Sequence, residues 1–294
     1  MTDTAKQPAV SAETSQNARK YLTLGATHIV LIIACVVMLY PLLWMLAASC
    51  RPEQEIFTSV SIWPSSCHFD AYVRGWNGLK VGFETFFKNS LVIALLSVAG
   101  NVLSCSMAAY AFARLEFRGR SFWFALMLMT MMLPYQVTLI PQYVLFRHLD
   151  WVNTILPLVV PKFLAADAFF IFLMVQFFRG LPKELDEAAM MDGCSPWRIY
   201  WKIILPLSTP VLATAAIFTF IWTWDDFVGP LIYLSDMRQY TVMLGLRTFT
   251  DSTGVSDYGS LFAMSVLSLV PIFAFFLFFQ RLLIEGIATT GMKR

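Results

Sequence analysis

Six apolar stretches constrain this chain more than any other feature. They run over residues 22–48, 89–113, 122–145, 154–178, 208–234 and 260–283, and each reaches the ~20 residues that carry a helix across a bilayer. A segment inside lipid has no water for its backbone, so it must close its own hydrogen bonds as a helix. The expectation is an all-α integral membrane protein with six transmembrane helices. The low charge makes the same point: 14% of the 294 residues are charged and 58% are hydrophobic, where soluble domains carry roughly 25% and 45–50%. A net charge of +2 and the lack of any Lys/Arg-rich run argue against a nucleic-acid partner.

The segments differ in what they can pack against. In the second, Gly100, Ser104 and Ala108 recur every fourth residue, as do Ser97, Asn101, Cys105 and Ala109. Small residues at that spacing let another helix approach closely, which predicts a helix inside the bundle. Pro41 predicts a bend in the first span, and Pro134 and Pro141 fall in the second half of the third. The first span is too long for a signal-peptide core and lacks an A-x-A site, so it reads as an uncleaved anchor. Residues 1–21 read as a polar tail and 284–294 as a short second tail. Six spans put both termini on one side. Thirteen Lys/Arg lie on the side of the termini, of 114–121 and of 179–207, counting Arg281 with the tail, against seven in 49–88, 146–153 and 235–259. The positive-inside rule then places both termini in the cytoplasm and the two long loops outside.

On the cytoplasmic side, residues 181–206 form a charged island, LPKELDEAAMMDGCSPWRIYWKIILP. Pro182 suits the first turn of a helix, and Glu184, Asp186 and Glu187 favour its positive end. Leu185, Ala188, Ala189 and Asp192 share a face at helical spacing. Gly193 suits a left-handed stop. Ser195 can cap a second helix with Pro196 at its first position, carrying Trp197, Tyr200, Trp201 and Ile204. The island reads as helix, glycine turn, amphipathic helix. The second helix suits a headgroup interface; the first carries four acids and a pair of alanines, which suits docking into a partner's cleft.

Glu187-Ala188-Ala189, three residues, Gly193, nine residues, Ile203, one residue and Leu205-Pro206 resemble the EAA signature of binding-protein-dependent ABC importer permeases. YQVTLIPQYVLF at 135–146, WDDFVGPLIYL at 224–234, YTVMLGLRTF at 240–249 and the tail EGIATTGMKR resemble the carbohydrate-importer branch, specifically the maltose-type second permease. Asp225-Asp226 departs from the Asn-Asp or Asn-Glu usual in that branch. The resemblance implies the type I ABC importer permease fold in a bacterial inner membrane. It implies that Glu187, Ala188, Ala189, Asp192 and Gly193 dock on an ATPase. The partners it implies are a second permease subunit, two ATP-binding subunits that hold ATP and Mg, and an extracytoplasmic binding protein that delivers a sugar. No cofactor is implied in this chain.

Polar groups inside spans are costly and face a bundle interior or a wet cavity. Here they are Asn101, Gln136, Asp167, Gln176, Asp225 and Asp226, with Trp222. A sugar pathway needs amides or acids for hydroxyls and aromatic faces for rings, which makes Asn101, Tyr135, Gln136, Trp222 and Asp225 candidate lining. The competing reading makes Asn101 and Gln176 interhelical ties and leaves Asp225 and Asp226 wet at the outer interface. Asp167 could pair with Lys162, although five residues is a poor helical spacing, or with a partner chain. An ion-coupled secondary transporter using Asp167, Asp225 or Asp226 is the alternative function; neither internal repeats nor broken helices, its usual marks, are evident. No G-x-x-x-x-G-K-[ST], H-E-x-x-H or G-x-S-x-G occurs, so neither nucleotide binding nor catalysis is expected. Five cysteines without C-x-x-C spacing give no metal signature; Cys50 and Cys67 share an outside loop, as free thiols or as a pair.

Overall fold

A computed structural model of the chain describes residues 8–59, 61, 63–250 and 256–291, with side chains over 24–282. Regular structure among the described residues is helical. Helix α1, Pro8–Ala48, starts within the stretch expected to be a polar tail. Its apolar side chains, Val30, Ile32, Val36 and Met38 among them, face outward, as suits lipid. It meets the bundle at Trp44, edge-on to Phe262 at 5.4 Å. Helix α2, Asp70–Asn77, lies in the first long loop. Helix α3, Phe83–Arg114, is the central rod. Then come α4, Arg120–Thr130, and α5, Tyr135–His148. Next are α6, Leu156–Val159, a 3₁₀ turn at Val160–Leu164, and α7, Ala168–Gly180.

The charged island holds α8, Glu184–Met191, and α9, Pro196–Ile199; α9 runs through a π-helical turn at Tyr200–Ile204 into α10, Leu205–Leu207. The chain closes with α11, Thr209–Trp224, α12, Val228–Tyr233, α13, Val242–Leu246, and α14, Tyr258–Gly291. Residues 292–294, at the end of the second expected tail, lie outside the described residues.

Among the described residues, four helical segments are long and apolar enough to cross a membrane: Leu24–Ala48, Phe83–Arg114, Leu156–Gly180 and Tyr258–Leu282. Two more candidates are bent pairs, α4 with α5 at 98° and Pro196–Leu207 with α11 at 78°. The reading that broken helices are not evident therefore needs correcting. The third span breaks before Pro134, because a residue preceding proline is driven out of helical geometry; Pro134 itself is extended, with ψ 135°. The fourth turns at Ala165, which is left-handed with φ 53°. The fifth ends at Trp224 rather than 234. Near Pro206, which has no N–H, the helix widens instead, and the Leu205 N–H reaches back to the Tyr200 carbonyl.

Small residues place α3 at the centre. Ser97, Asn101, Cys105 and Ala109 are fully buried, as their spacing predicts. At Gly100 the Phe163 ring lies so close that a Cβ would stand 2.5 Å from it, and beside it the Ser104 hydroxyl donates to the Lys162 carbonyl at 2.7 Å. In lipid such close packing and interhelical hydrogen bonds, rather than expulsion of water, hold helices together. Two apolar clusters flank this contact, one around Met174, Phe178 and Tyr200 and one around Phe83, Phe86 and Trp224.

The loops sort to the two ends of α3. At its first end, the Ser260 hydroxyl donates to the Ala71 carbonyl, and the Asn89 amide donates to the carbonyls of Arg238 and Tyr240. The second long loop, 235–259, buries Val242, Leu244 and Phe249 as a cap over α3. The short connection joins that end too, since the Asn153 side-chain oxygen accepts from the N–H groups of Ser235 and Asp236. The basic turn and the charged island lie at the other end.

Candidate coupling site and transport face

The island folds as its caps require. Helix α8 closes with two bonds, Gly193 N–H to the Met190 carbonyl at 3.0 Å and Cys194 N–H to the Ala189 carbonyl at 2.9 Å. That pairing is the Schellman motif, and it needs a left-handed residue at the turn. Gly193 supplies it with φ 76°. Ser195 then accepts from the Arg198 N–H at 3.4 Å, with Pro196 opening α9.

The shared face expected for α8 is split. Ala189 is buried in the bundle, while Ala188 is exposed together with Glu184, Glu187 and Met191. The reason is the 100° step between neighbours on a helix: two adjacent alanines cannot point the same way. Asp192 and Gly193 are exposed at the helix end. Met191, 89% exposed, was missed by sequence reasoning; its signal is the i, i+4 relation to Glu187.

The inward side of α8 is tied to α3. Arg114 Nη1 lies 3.0 Å from Asp186 Oδ2, with side-chain exposures of 4% and 15%. The Arg114 Nη2 donates to the carbonyls of Phe178 and Leu181, at 2.6 and 2.8 Å. One guanidinium thus ends α3, closes α7 and holds α8. The next turn is tied by phenols. The Tyr110 hydroxyl donates to the Pro196 carbonyl at 3.0 Å, and the Tyr200 and Ser106 hydroxyls are 2.8 Å apart. Of the aromatic row expected along one side of the second helix, Tyr200 and Ile204 are buried, and Trp197 and Trp201 are exposed. Neither Arg114 nor Asp186 was singled out as a site residue from sequence.

The candidate pathway residues separate into three groups. Asn101 is fully buried, and its amide donates to Thr219 Oγ1 at 2.7 Å while its oxygen accepts from Cys105. It ties α3 to α11, so it is not exposed lining. Gln176, the other residue read as a tie, is exposed on α7. Tyr135 and Gln136 are exposed at the start of α5, just past the break. Trp222 is exposed beside the rings of Phe169, Phe170 and Phe218, at 5.3–5.8 Å.

Asp225 is exposed at the end of α11, but the next residue faces the cleft. Asp226 lines a cavity of about 90 Å³ together with Lys162, Thr219, Trp222, Thr223 and Thr241. It accepts from the Gly229 N–H at 3.0 Å. Lys162 does pair with Asp167, at 2.8 Å. The five-residue spacing works because the left-handed turn at Ala165 breaks the helix between them. Among the described residues, no cluster of three or more His, Cys, Asp or Glu is placed to hold a metal ion.

A bundle of apolar helices with broken crossings, a polar cleft and a capped hairpin at one end defines a multi-pass membrane transport subunit. The chain belongs to the family of binding-protein-dependent transport system inner membrane components, whose model matches residues 100–288. It is 36% identical over 275 residues to the arabinooligosaccharides transport system permease protein AraQ of Halalkalibacterium halodurans, covering 92% of this chain and 95% of that one. It is 34% identical over 263 residues to the trehalose/maltose transport system permease protein MalG of Thermococcus litoralis, with coverages of 89% and 94%. The fold matches a solved chain of a bacterial ABC transporter involved in the import of the acidic polysaccharide alginate. There the TM-score is 0.78 at 22% identity, over 95% of this chain and 99% of that one. The resemblance carried by the EAA pattern is thereby borne out, and the chain is an ABC transporter permease of the inner membrane.

Proposed function

We propose that this permease imports a sugar or oligosaccharide, handed to it by an extracytoplasmic binding protein and driven by ATP on partner subunits. The observation that carries this reading is the two-faced helix α8. Its outer face, Glu187, Ala188 and Met191 with Asp192 and Gly193 at its end, is exposed; its inner face is bonded to the central helix through Asp186. A helix held that way passes displacement from a docked partner into α3 without chemistry of its own. Two ATP-binding subunits would supply that displacement, with ATP and Mg bound on them, and a second permease would complete the pathway. Rocking of the bundles would then switch access from one side to the other.

The cleft at Asp226, Trp222 and Thr241 suits hydroxyl-bearing cargo, with a carboxylate to accept hydrogen bonds and an exposed ring to stack. The relatives' names point to oligosaccharide substrates. The long-loop end, with exposed Phe57 and Trp63, faces outward in this reading and receives the binding protein. Ion coupling is not favoured: Asp167, one of its three carboxylates, is already paired with Lys162.

The test is uptake by cells carrying the complete importer, with and without its ATP-binding subunit. Expected is loss of uptake on deletion, restored by the intact subunit and not by one lacking its P-loop lysine. Uptake that persists without the ATPase would overturn the reading.

A further inference from the structure

The first long loop holds a pair of thiols to which the proposed function assigns no role. Cys50 stands two residues after α1, and Cys67 three residues before α2. Between them lie residues 51–66, of which Arg51 and Ile56 are buried. The two ends are joined by backbone, since the His68 N–H donates to the Cys50 carbonyl at 2.9 Å. That bond sets Cys67, one residue earlier, beside Cys50 along the backbone. The Cys67 pKa is raised, chiefly by the neighbouring Cys50 side chain as a hydrogen-bonding partner, with burial adding to the rise.

Tyr72 of α2 completes the junction, its hydroxyl 2.8 Å from Ser49 Oγ. Burial raises the Tyr72 phenol, the Ser49 bond lowers it, and the charges of Cys50 and Cys67 raise it further. The remaining cysteines are placed differently. Cys35 is on the outer face of α1, Cys105 is buried against Asn101, and Cys194 is in the hairpin.

We propose that Cys50 and Cys67 form a disulfide that closes residues 51–66 into a ring at the outer end of the bundle. Both are thiols in this structure. The proposal rests on the reading that this loop lies outside the cytoplasm, where thiols are oxidised. The oxidant is a disulfide of a thiol-exchange protein. One cysteine thiolate attacks it, forming a mixed disulfide and releasing a thiolate. The second cysteine thiolate then attacks its neighbour's sulfur and expels the other. Two cysteine thiols become one disulfide, and the oxidant leaves as two thiols carrying the two electrons and two protons. The ring wraps Arg51, which is buried and donates to the Ser61 carbonyl. It also carries the exposed Trp63, and Phe57, which lies edge-on to Tyr258 at 4.9 Å.

The test uses the complete importer in intact spheroplasts, a membrane-impermeant maleimide, and peptide mass spectrometry. A Lys80→Cys variant, at an exposed position of the same loop outside the ring, reports orientation independently. Expected is labelling at position 80 without reduction, labelling of Cys67 only after an impermeant phosphine, and a linked Cys50–Cys67 peptide lighter by two hydrogens. Labelling of Cys67 without reduction, with position 80 also labelled, overturns the disulfide and leaves the orientation standing. Labelling of position 80 only after permeabilisation overturns the orientation, and the disulfide with it.

Discussion

Arg114 Nη1 and Asp186 Oδ2 lie 3.0 Å apart at the seam between the central helix and helix α8. Both side chains are mostly withdrawn from solvent, so the pair stands or falls together. Removing one partner of a buried pair leaves the other charge unmatched, at about 3–5 kcal/mol. Arg114→Met should lower the thermal unfolding midpoint of the purified complex and abolish ATP-driven uptake. Arg114→Met with Asp186→Leu should recover much of the stability but not the uptake, because the tie to the carbonyls of Phe178 and Leu181 is still gone. Normal uptake by Arg114→Met would refute the mechanical role of this seam.

Gly193 isolates backbone geometry from packing. No atom lies within 4 Å of the place a Cβ would take, yet φ is 76°. The cost of a side chain there is conformational, roughly 1–2 kcal/mol for an ordinary L-residue and less for asparagine. Gly193→Val should leave ATP hydrolysis running while uptake falls, and Gly193→Asn should transport nearly normally. Measuring both rates in proteoliposomes separates the cases; equal loss in both variants would mean that the glycine matters for space instead.

At Gly100 the argument reverses, because space is the constraint. A methyl group would meet the Phe163 ring at 2.5 Å, and overpacking of this kind costs about 1–3 kcal/mol. Gly100→Ala should lower the unfolding midpoint in detergent. Adding Phe163→Leu should restore part of it, and additive losses in the double variant would disprove the contact.

In the polar cleft, Asp226 and Asp225 are separable. Asp226→Asn keeps an acceptor for the Gly229 N–H but removes a charge from the cavity that Lys162 also lines. If Asp226 binds a sugar hydroxyl, its charged hydrogen bond is worth about 1.5–3 kcal/mol, a tenfold or larger effect. Uptake by Asp226→Asn should fall about tenfold by that measure, and uptake by Asp225→Asn much less. Transport assays at subsaturating substrate decide it; a greater loss in Asp225→Asn would return the role to the exposed residue.

Reading the sequence succeeded where one local rule decides the outcome. The fourfold rows around Asn101 and Cys105 reported a buried helix, and Gly193 and Ser195 reported their caps, because small size and left-handed geometry admit few alternatives. Reading failed where a break re-aims side chains. Nothing local to Ala165 announces a positive φ, so the Lys162–Asp167 pair looked ill-spaced. The elbow before Pro134 and the early end of α11 at Trp224 shifted the cleft from Asp225 to Asp226. The partnership of Arg114 and Asp186 spans 72 positions in sequence, and no periodicity links them.

The elbow at Met131–Pro134 has a consequence for how long a lone copy can last. Helix α4 has 11 residues, about 16 Å at 1.5 Å per residue, half of a ~30 Å hydrocarbon core. Backbone that is neither helical nor sheathed by protein is not tolerated against lipid chains, and Met131, Met132 and Leu133 are exposed in the isolated subunit. An orphan copy therefore carries a built-in mark of incomplete assembly. Its cellular lifetime should be set by how fast another subunit covers that bend, which makes subunit supply, rather than intrinsic stability, the control on abundance.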